Sequence, residues 1–178
     1  MKQNEMKEAL KKEFVGKPFN TGVNSVSPYS VGYYILNNFI PEEFRKNVAV
    51  DVAKFDVTIR LTYKTKACYK NIPLLHASVK RAKGKSHYNF FGNYCDWSVK
   101  DIEVSYCDYG KNLTLEEIYN DAMAEAKKSI SEADEYDAEI LKLVELLKTT
   151  TGLGRYDLRD RIDYIRNHWY SLADKVFD

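Results

Sequence analysis

The chain has 178 residues, 44% of them hydrophobic and 30% charged, with a formal net charge of +1. That length suffices for one domain with a core of its own, and the balance of apolar and charged residues excludes a disordered chain. The longest apolar-leaning run, Val31 to Ile40, is broken by Asn37 and Asn38 and reaches about half of the ~20 residues a bilayer crossing takes, so no membrane span is expected.

The amino terminus, "MKQNEMKEALKKEF", mixes lysines with glutamates and lacks the apolar core of a secretory signal, which points to a cytoplasmic protein. Within it Met6, Leu10 and Phe14 share one helical stripe, and Gly16 ends the helix. "GKPFNTGVNSVSP" reads as a loop. Ser27-Pro28 has the form of a cap and first turn, and Pro41-Glu42-Glu43 that of a second start, giving two short helices.

A sheet follows. Phe55, Val57, Ile59, Leu61 and Tyr63 alternate with polar residues, the period of a strand with one buried face. Leu75, Ala77 and Val79 repeat that pattern, and "KGKS" at Lys83 to Ser86 has turn composition. Asp96 to Cys107 continues the run with a phase slip at Lys100-Asp101 that reads as a bulge. The expectation is an antiparallel meander of three to five strands.

Thr114 and Glu117 form a capping box at the head of a long helical segment. Unbroken to Lys148, that helix would measure roughly 51 Å, against a diameter of about 40 Å for a compact chain of this length. Ser129-x-x-Glu132 is a second capping box, so a kink or restart is expected at Ser129 to Ser131. A last helix carries Leu158, Ile162, Ile165, Trp169, Leu172 and Val176 on one stripe, facing Ile140, Leu143, Val144 and Leu147. The fold class is α+β: an antiparallel meander flanked by an N-terminal helix and a C-terminal helical hairpin that closes on the sheet. A single domain, 1–178, is expected, with helices in 1–47, the sheet in 48–110 and helices again in 113–178.

Charge is sorted along this chain. From Leu61 to Cys95 there are seven lysines and arginines and no acid, while Leu113 to Glu145 holds ten acids against three lysines. In the basic run Lys64, Lys66, Lys80, Arg81, Lys83 and Lys85 stand among rings, Tyr88 above all, a combination that suits phosphates and stacked bases of RNA or single-stranded DNA. The same lysines also suit a sheet that must keep its edges from pairing. The acidic residues Glu116, Glu117, Asp121, Glu125, Glu132, Asp134 and Glu135 form a candidate face for a basic protein partner. The two blocks either pack together and cancel, or each presents its own field.

Catalytic patterns are sparse. His76, His87 and His168 lie far apart, and Cys68, Cys95 and Cys107 form no close pair, so reduced thiols and no metal or cofactor are expected. Asp101 and Glu103, two apart on a strand, with Asp96 and Asp108 near them, are the residues a metal-dependent nuclease would use.

With "EEIYNDAMAEAKKSISEADEYDAEI" beside a basic, tyrosine-rich sheet, the chain resembles in character the small orphan proteins of phages and mobile elements, among them the anti-CRISPR proteins. The resemblance implies stoichiometric inhibition: a non-enzymatic protein that occupies the nucleic-acid groove of an RNA-guided nuclease or clamps the nucleoprotein. A direct RNA or single-stranded DNA binder and a metal-dependent nuclease are the alternatives.

Overall fold

The computed structural model describes residues 1–20, 25–64, 69–90 and 92–172, with the backbone alone at 69, 89, 92–94 and 168–172. The elements in chain order are α1 (Gln3–Phe14), α2 (Pro28–Phe39), α3 (Glu42–Arg45), β1 (Val48–Ala53), β2 (Asp56–Lys64), β3 (Tyr69–Asn89), β4 (Gly92–Tyr106), α4 (Leu115–Thr149) and α5 (Gly154–Leu172). The strands form one antiparallel sheet in the order β1-β2-β3-β4. The α+β expectation is met.

Two compact units divide the chain. The first comprises Met1–Leu61 and Pro73–Asp121, the second Thr62–Ile72 and Ala122–Asp178.

In the first unit the period-two pattern sorts the sheet into faces. Val57, Ile59 and Leu61 of β2, Leu75, Ala77 and Val79 of β3, and Ile102, Val104 and Tyr106 of β4 are all buried, and all fall on one face. The helices cover that face. α1 adds Met6, Leu10 and Phe14, and α2 adds Val31 and Ile35. Fully burying a side chain of this size is worth about 1.5–3 kcal/mol, so this layer holds the unit together. Rings join the two helices, Phe14 meeting Tyr34 edge to face with centroids 5.1 Å apart.

Both helix starts follow the residue chemistry. Ser27 caps α2 by accepting from the Ser30 amide, and Pro28 occupies the first turn, where its missing N–H costs nothing. Gly16 follows α1 at φ 85°, a left-handed conformation open to glycine. The segment after it is more than a loop. The Gly16 amide donates to the Val99 carbonyl, Val99 N–H to the Lys17 carbonyl, and the Phe19 amide to the Trp97 carbonyl, so residues 16–19 pair along the outer edge of β4.

β3 and β4 differ from expectation at one place. Lys83 to Ser86 is not a turn, because β4 supplies ladder partners on both sides of it: Lys83 opposes Trp97 and Ser86 opposes Cys95. Gly84 and Lys85 therefore face Asp96 alone, a bulge inside a continuous strand. The chain reverses between Asn89 and Gly92. The second bulge lies where the phase slip placed it: Lys80 opposes Asp101 and Arg81 opposes Val99, leaving Lys100 as the extra residue.

α4 carries the other correction. It is one helix of 35 residues with no restart at Ser129 to Ser131. It contains neither proline nor glycine, and Ala122, Ala126, Ile130 and Ala133 continue one buried stripe through the second capping box. That stripe outweighs the modest helix cost of two serines. Residues 115–121 of α4 belong to the first unit and 122–149 to the second. In the second unit Tyr63 and Tyr136 pack on Ile130 and Ala133. α5 buries Ile162 and Ile165, and Arg161 reaches Glu139 of α4 at 2.9 Å. Ile140, Leu143, Val144 and Leu147 are half-buried, the side chains of Trp169 and Leu172 lie outside the described ones, and so does Val176. Among the described residues no helix is long and apolar enough to cross a membrane.

Gly32 sets how closely α2 meets the sheet. A Cβ there would stand 2.4 Å from Val50 Cγ1 and 3.0 Å from Val57 Cγ1. Gly32→Leu is expected to lower the unfolding free energy by about 2–3 kcal/mol, as overpacking does. Urea titration followed by circular dichroism measures it, and an unchanged midpoint would contradict this packing.

Candidate functional site

Beyond Val79, whose amide donates to the Phe55 carbonyl in the turn before β2, β3 has no β2 residue beside it among the described residues. Among the described residues, Arg81 to Asn89 pairs with β4 alone, a two-stranded arm of nine residues or roughly 30 Å.

Arg81 stands at the base of this arm. Its guanidinium carbon lies 4.3 Å from the Phe55 ring centroid and 4.1 Å from that of Trp97. Arg81 and Trp97 are diagonal neighbours on one face of the ladder, a separation that long and aromatic side chains span. Phe55 is itself backed by the fully buried Phe19, with centroids 5.9 Å apart. Ring faces attract the cation and hold its plane, so its N–H groups point outward already oriented. Among the described residues no carboxylate pairs with Arg81, Lys83 or Lys85. Lys83 and Lys85 are exposed along the arm, and Tyr88 and Phe90 are 81% and 97% exposed at its end. His87 Nε2 lies 2.6 Å from Asp96 Oδ2, so the arm's one acid already has a partner.

The basic candidates do not form one patch. Lys80 precedes Arg81 and therefore points to the opposite face of β3, where its ammonium is 2.5 Å from Glu103 Oε1. Lys64 is exposed at the end of β2 and belongs to the second unit; Lys66 lies outside the described residues, as does Cys68. The arm carries Arg81, Lys83, Lys85 and Tyr88; its register sets Arg81, Lys83 and Tyr88 on one face, whereas Lys85, in the bulge opposite Asp96, falls on the other. Phe55, Trp97 and Phe90 complete the surface, and sequence reasoning gave Trp97 no role. The phase slip at Lys100 was the available signal, since it puts Trp97 on the face of Arg81.

The acidic candidates lie along α4. Glu116, Glu117 and Asp121 fall in the first unit, and Glu125, Glu132, Asp134 and Glu135 in the second. All but the half-buried Glu132 are exposed. Glu117 serves the fold, accepting from the Thr114 amide and hydroxyl at 2.7 and 2.8 Å, and Asp121 lies 4.0 Å from Lys111.

The carboxylates proposed for metal-assisted cleavage are not joined. Asp101 Oδ1 is 3.0 Å from Lys11 Nζ of α1, whereas Glu103 belongs to Lys80. Asp108 accepts from the Gly110 and Leu113 amides and shapes the loop before α4. His76 bonds Thr58 through Nδ1, and the side chain of His168 is outside the described ones. Among the described residues no group of three or more His, Cys, Asp or Glu could hold a metal ion. His76 and Glu103 do line an open cleft of about 610 Å³ with Lys7 and Asp56, where charges of both signs lie side by side. Cys107 is partly buried, and loss of solvation pushes its thiol up, away from the thiolate.

Comparison with protein-family models, with curated proteins and with solved structures gives no match.

Two carboxyls carry a pH consequence. The hydrogen bond from Lys11 holds Asp101 below the usual carboxylate range, and the Thr114 backbone amide does the same for Glu117. Their folded-state values lie under the unfolded ones, so their stabilisation is present above about pH 4 and lost as pH falls through the folded values. The thermal midpoint is expected to drop between pH 5 and pH 2.5. In Asp101→Asn/Glu117→Gln that drop is expected to be shallower and the midpoint at pH 6 lower. An identical acid profile in the variant would contradict both contacts.

Proposed function

We propose that the protein is a non-enzymatic binding protein of a nucleic-acid-handling complex, such as an RNA-guided nuclease, and that the β3–β4 arm is the element that meets nucleic acid. The observation that carries this reading is the Arg81 guanidinium held against Phe55 and Trp97 with, among the described residues, no carboxylate partner. An arginine kept only to stabilise a strand would gain by an ion pair, as Arg60 does with Asp51 at 2.6 Å. One fixed by rings presents a preoriented fork, which suits phosphate oxygens or a base edge. Lys83 and Lys85 add point charges for a backbone, while the exposed Tyr88 offers a ring on which a base stacks, a stack worth about 1–3 kcal/mol. Ring stacking is tolerant of sequence, so single strands or guide–target hybrids are the favoured form over a particular duplex sequence. The acidic residues of α4 support contact with a basic groove of the protein part. The salt-bridged state of Asp101 and Glu103 supports binding without turnover.

Fluorescence anisotropy with labelled single-stranded RNA and DNA tests the arm. Affinity is expected to fall steeply with salt. Arg81→Glu/Lys83→Glu/Lys85→Glu is expected to weaken binding at least 100-fold and to flatten the salt slope by about two units, since each lost phosphate contact on a single strand removes ~0.7. Lys80→Ala, on the other face, is expected to change affinity less than about twofold. A parallel assay of target cleavage by a guide-loaded nuclease is expected to show stoichiometric inhibition. Absence of both binding and inhibition would reject the proposal, and equal losses from Lys80→Ala and the triple variant would reject the arm.

A further inference from the structure

We propose that a second copy of this chain docks along the free edge of β1, joining two sheets across a twofold axis. β1 ends the sheet order, and among the described residues no strand pairs with its outer side. Edge strands in monomers are ordinarily blunted by lysine, proline or an inward charge. β1 reads Val48-Ala49-Val50-Asp51-Val52-Ala53, with one charge, and Arg60 of the neighbouring β2 already meets it at 2.6 Å. Its valines are half-buried, where Val57, Ile59 and Leu61 beside them are fully buried.

An independent observation points to the same edge. α2, which packs over β1, has no charged residue among twelve. Tyr34 turns toward α1, where it meets Phe14. At about 100° per residue, Tyr33 and Tyr29 lie roughly 100° and 140° around the helix from Tyr34, on the flank away from both α1 and the buried Val31 and Ile35. With α1 over β4 and α2 over β1, that flank lies beside the free edge. Tyr29 and Tyr33 are 57% and 54% exposed there.

A second copy fits both features at once, whereas an extended peptide added to β1 would leave the tyrosines uncovered. Antiparallel pairing centred on Val50 sets Val48 against Val52 of the copy and Ala49 against Asp51, so no two aspartates oppose one another. Lys46 and Lys54 meet only at the solvated ends, where screening leaves little of their repulsion. Four half-exposed tyrosines supply about 400 Å² and two strand edges roughly as much again, short of the ~1,200 Å² at which standard interfaces begin and in the range of weak, transient ones. The dimer is therefore expected to dissociate in the micromolar range.

Sedimentation velocity of the full chain from about 5 to about 500 µM tests it. The mass is expected to rise from 20.7 kDa toward twice that value. In the same series the outward amides of Val48–Ala53 are expected to exchange at least tenfold more slowly at the higher concentration. Tyr29→Lys/Tyr33→Lys, two surface changes that leave the circular dichroism spectrum intact, is expected to remain a monomer throughout. A single-chain mass at every concentration would overturn the proposal, as would a dimer that survives the double variant or leaves the β1 amides unprotected.

Discussion

One inserted residue, Lys100, decides which way half of β4 faces. The sheet of the first unit has a single apolar face, and side chains alternate between faces with period two, so a shift of one residue exchanges inside for outside. Counting back from Tyr106, Val104 and Ile102 point inward; without the bulge Lys100, Ser98 and Asp96 would follow them. With it, Val99 and Trp97 do. Val99 is buried, and its amide and carbonyl both bond the 16–19 segment. Trp97 comes to the face of Arg81 and closes the stack with Phe55. The same insertion lets Asp101 reach Lys11 of α1, which secures the helix over the strand. Core closure, edge protection and the arm's one oriented cation all depend on it.

Much of this was legible because burial imposes periodicity. Met6, Leu10 and Phe14, the alternation through β2, the bulge and the Ser27-Pro28 cap each follow from one local rule, and each is found where that rule puts it. The misreadings came where a local signal competed with a longer one. "KGKS" has the composition of a turn, but a turn also needs strands that stop on either side, and β4 continues past it with Trp97 and Cys95 as partners. Ser129-x-x-Glu132 has the spacing of a cap, but a cap needs an extended residue before it. The apolar stripe through Ala126, Ile130 and Ala133 keeps the backbone helical there.

The candidate site was legible in kind and not in membership. Composition finds lysines and rings in one segment, yet it cannot tell which of them share a face. Adjacent residues in a strand point apart, so Lys80 and Arg81 were never on one surface. What separates them chemically is pairing: Glu103 across the ladder answers Lys80, whereas the position opposite Arg81 is Val99, which offers no charge. Phe55 escaped notice because it joins the stack from the turn between β1 and β2, a contact no period in β3 or β4 encodes.

The pairing pattern also reframes what the opposed charge blocks mean. The question raised by seven bases in one stretch and ten acids in another was whether the fold cancels them. It cancels them locally and incompletely: Lys80 with Glu103 and Arg161 with Glu139 each remove a charge next to its origin. Exposed ion pairs of this sort contribute up to about 1 kcal/mol each, so their chief effect is on the field that remains. On the arm the remainder is Arg81, Lys83 and Lys85, three cations with no acid left unpaired beside them. Net charge near zero for the whole chain therefore hides a positive element small enough to fit a groove, and the aromatic rings along it convert that charge from a diffuse attraction into a surface with orientation.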